Sequence, residues 1–172
     1  MSRKALILTG NLVQDHEFIY PYYRVQEDGY MVDVAVRDKK QVNGIIGAKI
    51  IPTKDIPELK VEDYDLVILP GGAKAMEYMR QDTEILKFIS DFNSSGKTIA
   101  SICHAAQLLI SSKIVKGRKI SGYYSIKDDI NNAGAVYTDE PAVVDGNIVT
   151  TAHYKDLGIW MKTALDLASK GS

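Results

Sequence analysis

Short unbroken apolar runs punctuate the chain, and stretches of helical spacing separate them. Lys4-Ala5-Leu6-Ile7-Leu8-Thr9 is such a run and ends at Gly10. It lacks polar alternation, as a strand buried on both faces would. From Asp15 to Gly29, Phe18, Ile19, Tyr22, Tyr23 and Val25 share one broad face, which predicts a helix with Gly29 just past its end. Pro21 lies inside this stretch, so the helix is expected to start near it or kink there. Met31 to Val36 reads as a second strand, and the polar, Gly-punctuated stretch 38–57 as an excursion of short strands. Asp65-Leu66-Val67-Ile68-Leu69 is the clearest buried strand and stops at Pro70-Gly71-Gly72. Asp82 to Asn93 has helical spacing with Asp82 as N-cap, and Gly96 closes that unit.

The alternation continues to the end of the chain. Lys97 to Ile102 predicts a strand, His104 to Ser111 a helix, Arg118 to Ser121 a short strand, Ser125 to Ala133 a helix and Ala135 to Thr138 a short strand. Ala142 to Thr150 carries a Gly-containing turn between β-branched runs, a hairpin signal. Lys155 to Ser169 predicts a closing helix. Buried strands alternating with helices give an α/β protein, with a mostly parallel sheet and helices on both faces. Such sheets bind ligands beyond the carboxyl ends of their strands. The loops after Thr9, Leu69 and Ile102 are the candidates.

Composition narrows the reading. The chain has 172 residues, which fits one domain, 1–172, with no linker or internal repeat. Lys and Arg number 21, Asp and Glu 22, for a net charge of −1. That balance excludes a binder of nucleic acid or anionic membrane held by bulk charge. No apolar run reaches the roughly 20 residues of a spanning helix, and the start of the chain lacks a signal-peptide core. The one cysteine, Cys103, cannot form an internal disulfide, which points to a reducing, cytoplasmic setting. Cys103, His104 and His153 have no recognised ligand spacing, so no metal site is expected. Gly71-Gly72 is too short for a dinucleotide or phosphate loop, and no cofactor is expected.

Cys103 follows a strand and opens a helix, the placement that projects a nucleophile from a strained turn. A helix N-terminus also favours a thiolate. Read alone, an isolated cysteine in apolar surroundings is more often an inert core thiol. The order of motifs changes that balance. Ala100-Ser101-Ile102-Cys103-His104-Ala105-Ala106, the unit Asp65 to Gly72, and Glu17 in Asp15-His16-Glu17-Phe18 resemble the ThiJ/PfpI superfamily, its PfpI branch in particular. The resemblance continues through Gly117-Arg118-Lys119, Ser125 to Asp129 and Val143 to Asn147, and so covers nearly the whole chain.

The resemblance implies a flavodoxin-like three-layer sandwich with a nucleophile elbow at Cys103. It makes Cys103 the nucleophile, Glu17 the acid bonded to its sulfur, and His104 the histidine of a Cys-His pair. Glu77 matches an acid that reaches the histidine of a neighbouring subunit. Gly71 and Gly72 sit at the substrate, with the Gly72 and His104 amides as an oxyanion hole, and Tyr123 matches a pocket residue. It also implies a homo-oligomer, a dimer or a hexamer built of dimers. Without the resemblance, Glu17 reads as a solvated first-turn acid, Glu77 as a surface acid and Tyr123 as packing. His16 reads as a solvated residue near a helix start, and His153, after the last strand, as a surface or satisfied histidine more readily than as a pocket residue. The chain departs from the family's Cys-His-Gly-Pro at Ala105-Ala106 and from its Tyr-Pro-Gly at Tyr123-Tyr124-Ser125.

Two functional classes follow. One is a cofactor-free cysteine enzyme acting on a peptide or a small carbonyl compound, as a peptidase or as a glyoxalase-III or deglycase type stress enzyme. The other is a redox-responsive or chaperone-like protein in which Cys103 is oxidised rather than catalytic.

Overall fold

The computed structural model describes residues 2–171. Among the described residues, ten strands and six α-helices follow one another. The strands are β1 (Lys4–Leu8), β2 (Met31–Ala35), β3 (Val42–Asn43), β4 (Lys49–Ile50), β5 (Leu66–Leu69), β6 (Thr98–Ile102), β7 (Lys119–Ile120), β8 (Val136–Tyr137), β9 (Val143–Asp145) and β10 (Ile148–Thr151). The helices are α1 (Asp15–Glu27), α2 (Ala73–Met79), α3 (Thr83–Ser94), α4 (Ala106–Ser111), α5 (Lys127–Asn132) and α6 (Leu157–Lys170).

The main sheet has the order β2-β1-β5-β6-β10-β9. Its first five strands are parallel, and β9 closes one edge antiparallel to β10. Leaving out the short excursions, the parallel order is 2-1-3-4-5, the flavodoxin-like arrangement expected from the sequence. Strand direction reverses its neighbour choice at β1, which puts the crevice of the sheet at the carboxyl ends of β1 and β5.

The layers follow from the period of two. Leu6 and Leu8 of β1 pack with Met76, Ile85, Phe88 and Leu108 of α2, α3 and α4. Ala5 and Ile7 point the other way, onto Phe18 and Val25 of α1 and Trp160, Met161 and Leu165 of α6. Both faces of β1 and β5 are covered, which explains the absence of polar alternation in their sequences.

Most expected elements are present, and three differ. α1 runs unbroken through Pro21. The missing proline N–H would have served the carbonyl of Glu17, so the helix forgoes one bond and keeps its apolar face on the sheet. Gly29 ends it in the left-handed region, at φ 84°. Residues 73–79 form a helix that the sequence pattern did not announce. Cys103–Ala105 form a separate 3-10 turn before α4.

Candidate active site

The site is built where the expected three loops meet. β6 ends at Ile102, and Cys103 turns the chain sharply, with φ at 60°. An L-residue there costs about 1–2 kcal/mol, and the conformation aims the side chain out of the sheet. Leu12 to Gln14, after β1, lies over the loop after β5: the Gln14 N–H donates to the Gly71 carbonyl at 3.3 Å. Gly72, at φ 100°, has no room for a side chain against Leu12 and Gln14. A Cβ on Gly71 would lie 2.6 Å from Glu17 Oε2 and 2.9 Å from Cys103 Cβ. Only glycine lets thiol, carboxyl and backbone approach this closely.

Glu17 reaches the site from the first turn of α1 and is 0% exposed. Its Oε2 accepts from the Gly71 N–H at 2.6 Å. Its Oε1 has no partner at full hydrogen-bond geometry, yet the Cys103 thiol is the side chain that bonds the carboxyl. Burial raises the Glu17 carboxyl from 4.5 to about 7, against the pull of the Gly71 amide and the thiol. Cys103 is 7% exposed. Burial first, then the Glu17 charge, push its thiol upward, while the His104 and Gly72 amides pull it down.

Thiol and carboxyl therefore titrate as a pair. The first proton leaves at about pH 7 and the second is held far more tightly. The carboxyl ionises first; passing the thiol's proton to it gives a thiolate facing two amides and a neutral acid. Two amides so placed can also serve an oxyanion on a carbon bonded to the sulfur.

The chain matches the DJ-1/PfpI family over residues 3–167. It belongs to that family. It is 37% identical over 164 residues to deglycase PfpI of Pyrococcus furiosus, covering 95% of this chain and 98% of that one. It is 35% identical over 170 residues to protein/nucleic acid deglycase 2 of Escherichia coli, covering 97% and 98%. Among solved structures, Drosophila melanogaster DJ-1beta superposes with a TM-score of 0.90 at 26% identity, over 98% of this chain and 91% of that one. A two-domain protein from Anabaena variabilis with DJ-1/ThiJ/PfpI-like and ferritin-like domains gives a TM-score of 0.93 at 32% identity. There the chain covers 95% of itself but 47% of the partner structure.

Against this family background, the remaining expected residues separate into two groups. His104 joins the site: Nδ1 lies 3.3 Å from Cys103 Sγ, and Nε2 lies 3.4 Å from Ser125 Oγ. Burial alone lowers its pKa, favouring the neutral ring. Tyr123 stacks on that ring at 4.7 Å between centroids. Glu77 stands apart on α2, with a 61% exposed side chain ion-paired to Lys74 at 2.6 Å. Within one chain it is not brought to His104.

His16 is exposed and His153 half-buried, as the sequence suggested, and both also join ring contacts near the site. His153 lies 6.2 Å from Tyr123 and 4.0 Å from Tyr154, and Tyr154 stacks on His16 at 4.8 Å. All three histidines of the chain thus belong to one aromatic rim beside Cys103. His153 follows β10 directly, and its place at a strand's carboxyl end was the available signal. A concavity of about 450 Å³ borders the rim at His16, with Tyr20, Tyr23 and Leu157. One of about 430 Å³ sits at the ends of β1 and β2 between Thr9, Val36, Val42 and Met79. Geometry at the thiol, rather than cavity size, marks the site. Among the described residues no cluster of three His, Cys, Asp or Glu side chains could hold a metal ion.

Proposed function

We propose that the protein is a cysteine enzyme that converts small dicarbonyl compounds, free or carried on amines, to hydroxy acids. One observation carries this reading: Glu17, the amides of Gly72 and His104, and the His104 ring converge on Cys103 at a strained elbow. The names of the deglycase relatives support it.

The chemistry balances without an external oxidant or reductant. With a methylglyoxal adduct of an amine, His104 takes the adduct's hydroxyl proton and returns it to nitrogen. The C–N bond breaks, the amine leaves and the aldehyde is free. The Cys103 thiolate adds to the aldehyde carbon. Negative charge forms on oxygen beside the Gly72 and His104 amides, and Glu17 protonates it. Glu17, now a carboxylate, moves the C1 proton to C2 through an enediol. This oxidises C1 to a thioester and reduces C2 to an alcohol. Water then cleaves the thioester, releasing lactate and the thiolate. Of the two protons freed, one returns to Glu17 and one enters solvent.

A single unpaired thiol fits a reducing compartment, and no helix among the described residues is long and apolar enough to cross a membrane. The exposed Ile45, Ile46 and Ile51 fit burial in a homo-oligomer, a dimer or hexamer. In such an assembly a neighbouring subunit's Glu77 is available to His104 once it leaves Lys74.

The test is proton NMR of lactate formed from methylglyoxal and from its adduct with an amino acid, with no added cofactor. Wild type should form lactate and Cys103→Ala none. Lactate from Cys103→Ala overturns the nucleophile. No lactate from wild type, with Cys103 alkylating rapidly, overturns the dicarbonyl reaction and leaves peptide hydrolysis or redox sensing.

A further inference from the structure

The His104 ring is held on three sides by its own chain. Its Nδ1 faces the Cys103 sulfur at 3.3 Å, its Nε2 faces the Ser125 hydroxyl at 3.4 Å, and its face lies on Tyr123. The segment carrying Ser125 is tied to the nucleophile: the Tyr123 N–H donates to the Cys103 carbonyl at 3.1 Å, and the Ile126 N–H donates to the Tyr123 carbonyl at 3.0 Å. Ser125 stands at a position where the family pattern has glycine, which offers no side-chain partner. The titratable groups around the ring are Cys103 on the elbow, Glu17 from α1, Tyr123 and, beyond it, His153. Among the described residues no carboxylate or ammonium bonds the ring, and burial is the sole cause that shifts it.

We propose that Ser125 is a positioning residue of the site, holding His104 with Nδ1 toward the Cys103 sulfur while the ring gains and loses its proton. This rests on the reading of Cys103 as nucleophile. A hydroxyl is suited to the task because it both donates and accepts. It donates to Nε2 when that nitrogen carries a lone pair and accepts from it when protonated. A carboxylate in the same place would pin the Nε2–H form and stabilise imidazolium. Ser125 therefore keeps the ring oriented in either protonation state and leaves it neutral near pH 7.

The experiment is the rate of Cys103 alkylation by iodoacetamide from pH 5 to 9, for wild type, Ser125→Ala, Ser125→Thr and Ser125→Asp. Ser125 is exposed, so each variant is expected to fold. Ser125→Ala should slow alkylation at pH 7 by about fivefold, the effect of one lost hydrogen bond. Ser125→Thr should restore the wild-type rate. Ser125→Asp should move the acid limb of the profile by about one pH unit toward lower pH, by stabilising an imidazolium–thiolate pair. Profiles of Ser125→Ala and Ser125→Asp that coincide with wild type overturn the proposal. A wild-type Cys103 no more reactive than a free peptide thiol overturns the nucleophile reading itself, a result independent of the Ser125 variants.

Discussion

Glu17→Gln should stabilise the protein, and only on the alkaline side. In the native state the Glu17 carboxyl is raised from 4.5 to about 7. Below pH 4.5 folded and unfolded chains both hold the proton, and the group contributes nothing to pH dependence. Between 4.5 and 7 the unfolded chain has ionised while the native one keeps its proton. The native state then binds more protons, so wild-type stability falls as pH rises. Above about 7 both are ionised and the loss is complete. A shift of this size corresponds to about 3 kcal/mol, most of it the cost of an unpaired charge at a fully buried site. Glutamine keeps an oxygen for the Gly71 N–H and carries no charge. The assay is thermal unfolding of both proteins from pH 4.5 to 8.5. The melting curves should nearly coincide at the acid end, and at pH 8 the variant should melt about 10 °C higher. Melting temperatures that remain parallel across this range would refute the raised carboxyl, and with it the idea that Glu17 stores the proton.

Two substitutions probe the scaffold around the site. Gly71→Ala places a Cβ against Glu17 Oε2, Cys103 Cβ and the Ile102 carbonyl, where backbone on both sides leaves little room to yield. It should destabilise by about 2–3 kcal/mol and depress Cys103 alkylation, both read on one purified variant; a neutral result would mean that the carboxyl and elbow are not in contact through this glycine. Asp15 is 1% exposed and accepts from the Ile46 and Ala48 N–H groups at 2.8 and 2.7 Å. Asp15→Ala should cost about 2–3 kcal/mol and speed amide exchange over 44–48, while unchanged exchange there would show that the loop is held by other contacts.

What the sequence made legible, and what it did not, follows one physical line. Strands β1, β5 and β6 are buried on both faces, so their apolar runs are nearly pure and their ends are marked by Gly10, Pro70 and Cys103. Their parallel order could then be anticipated. α2 was missed because AKAMEYM is short, follows two glycines and is held by packing of Ala75, Met76 and Met79 on the sheet. Pro21 was read as a start or a kink because local rules see the lost bond and not the apolar face that packs α1 on the sheet. Glu17 was identified by resemblance. Nothing in its neighbours distinguishes a carboxyl buried beside a thiol from one in a solvated first turn. The exposure of His16 and the half-burial of His153 agree with the sequence, but their stacking across three loops leaves no spacing signal. Ser125 was visible in the sequence as a departure from the family pattern, and only the fold brings it to His104.

The costs at the site fall on one small region and serve one purpose. Cys103 holds a left-handed backbone, Gly71 and Gly72 give up side chains, and Glu17 carries a carboxyl into a place where its charge is disfavoured. Substitution would relieve the backbone of Cys103 and the charge of Glu17, as at natural sites under functional demand, whereas a side chain on either glycine would clash. The same burial that raises Glu17 keeps a proton close to the sulfur at neutral pH. The same elbow that strains Cys103 turns the sulfur toward the Gly72 and His104 amides. A thiol in a relaxed helix with a solvated acid nearby would be more stable but would have neither the stored proton nor the donors. The apolar faces of α1 and α6, packed on one face of β1, β5 and β6, supply the rigidity that lets these strained groups stay within bonding distance.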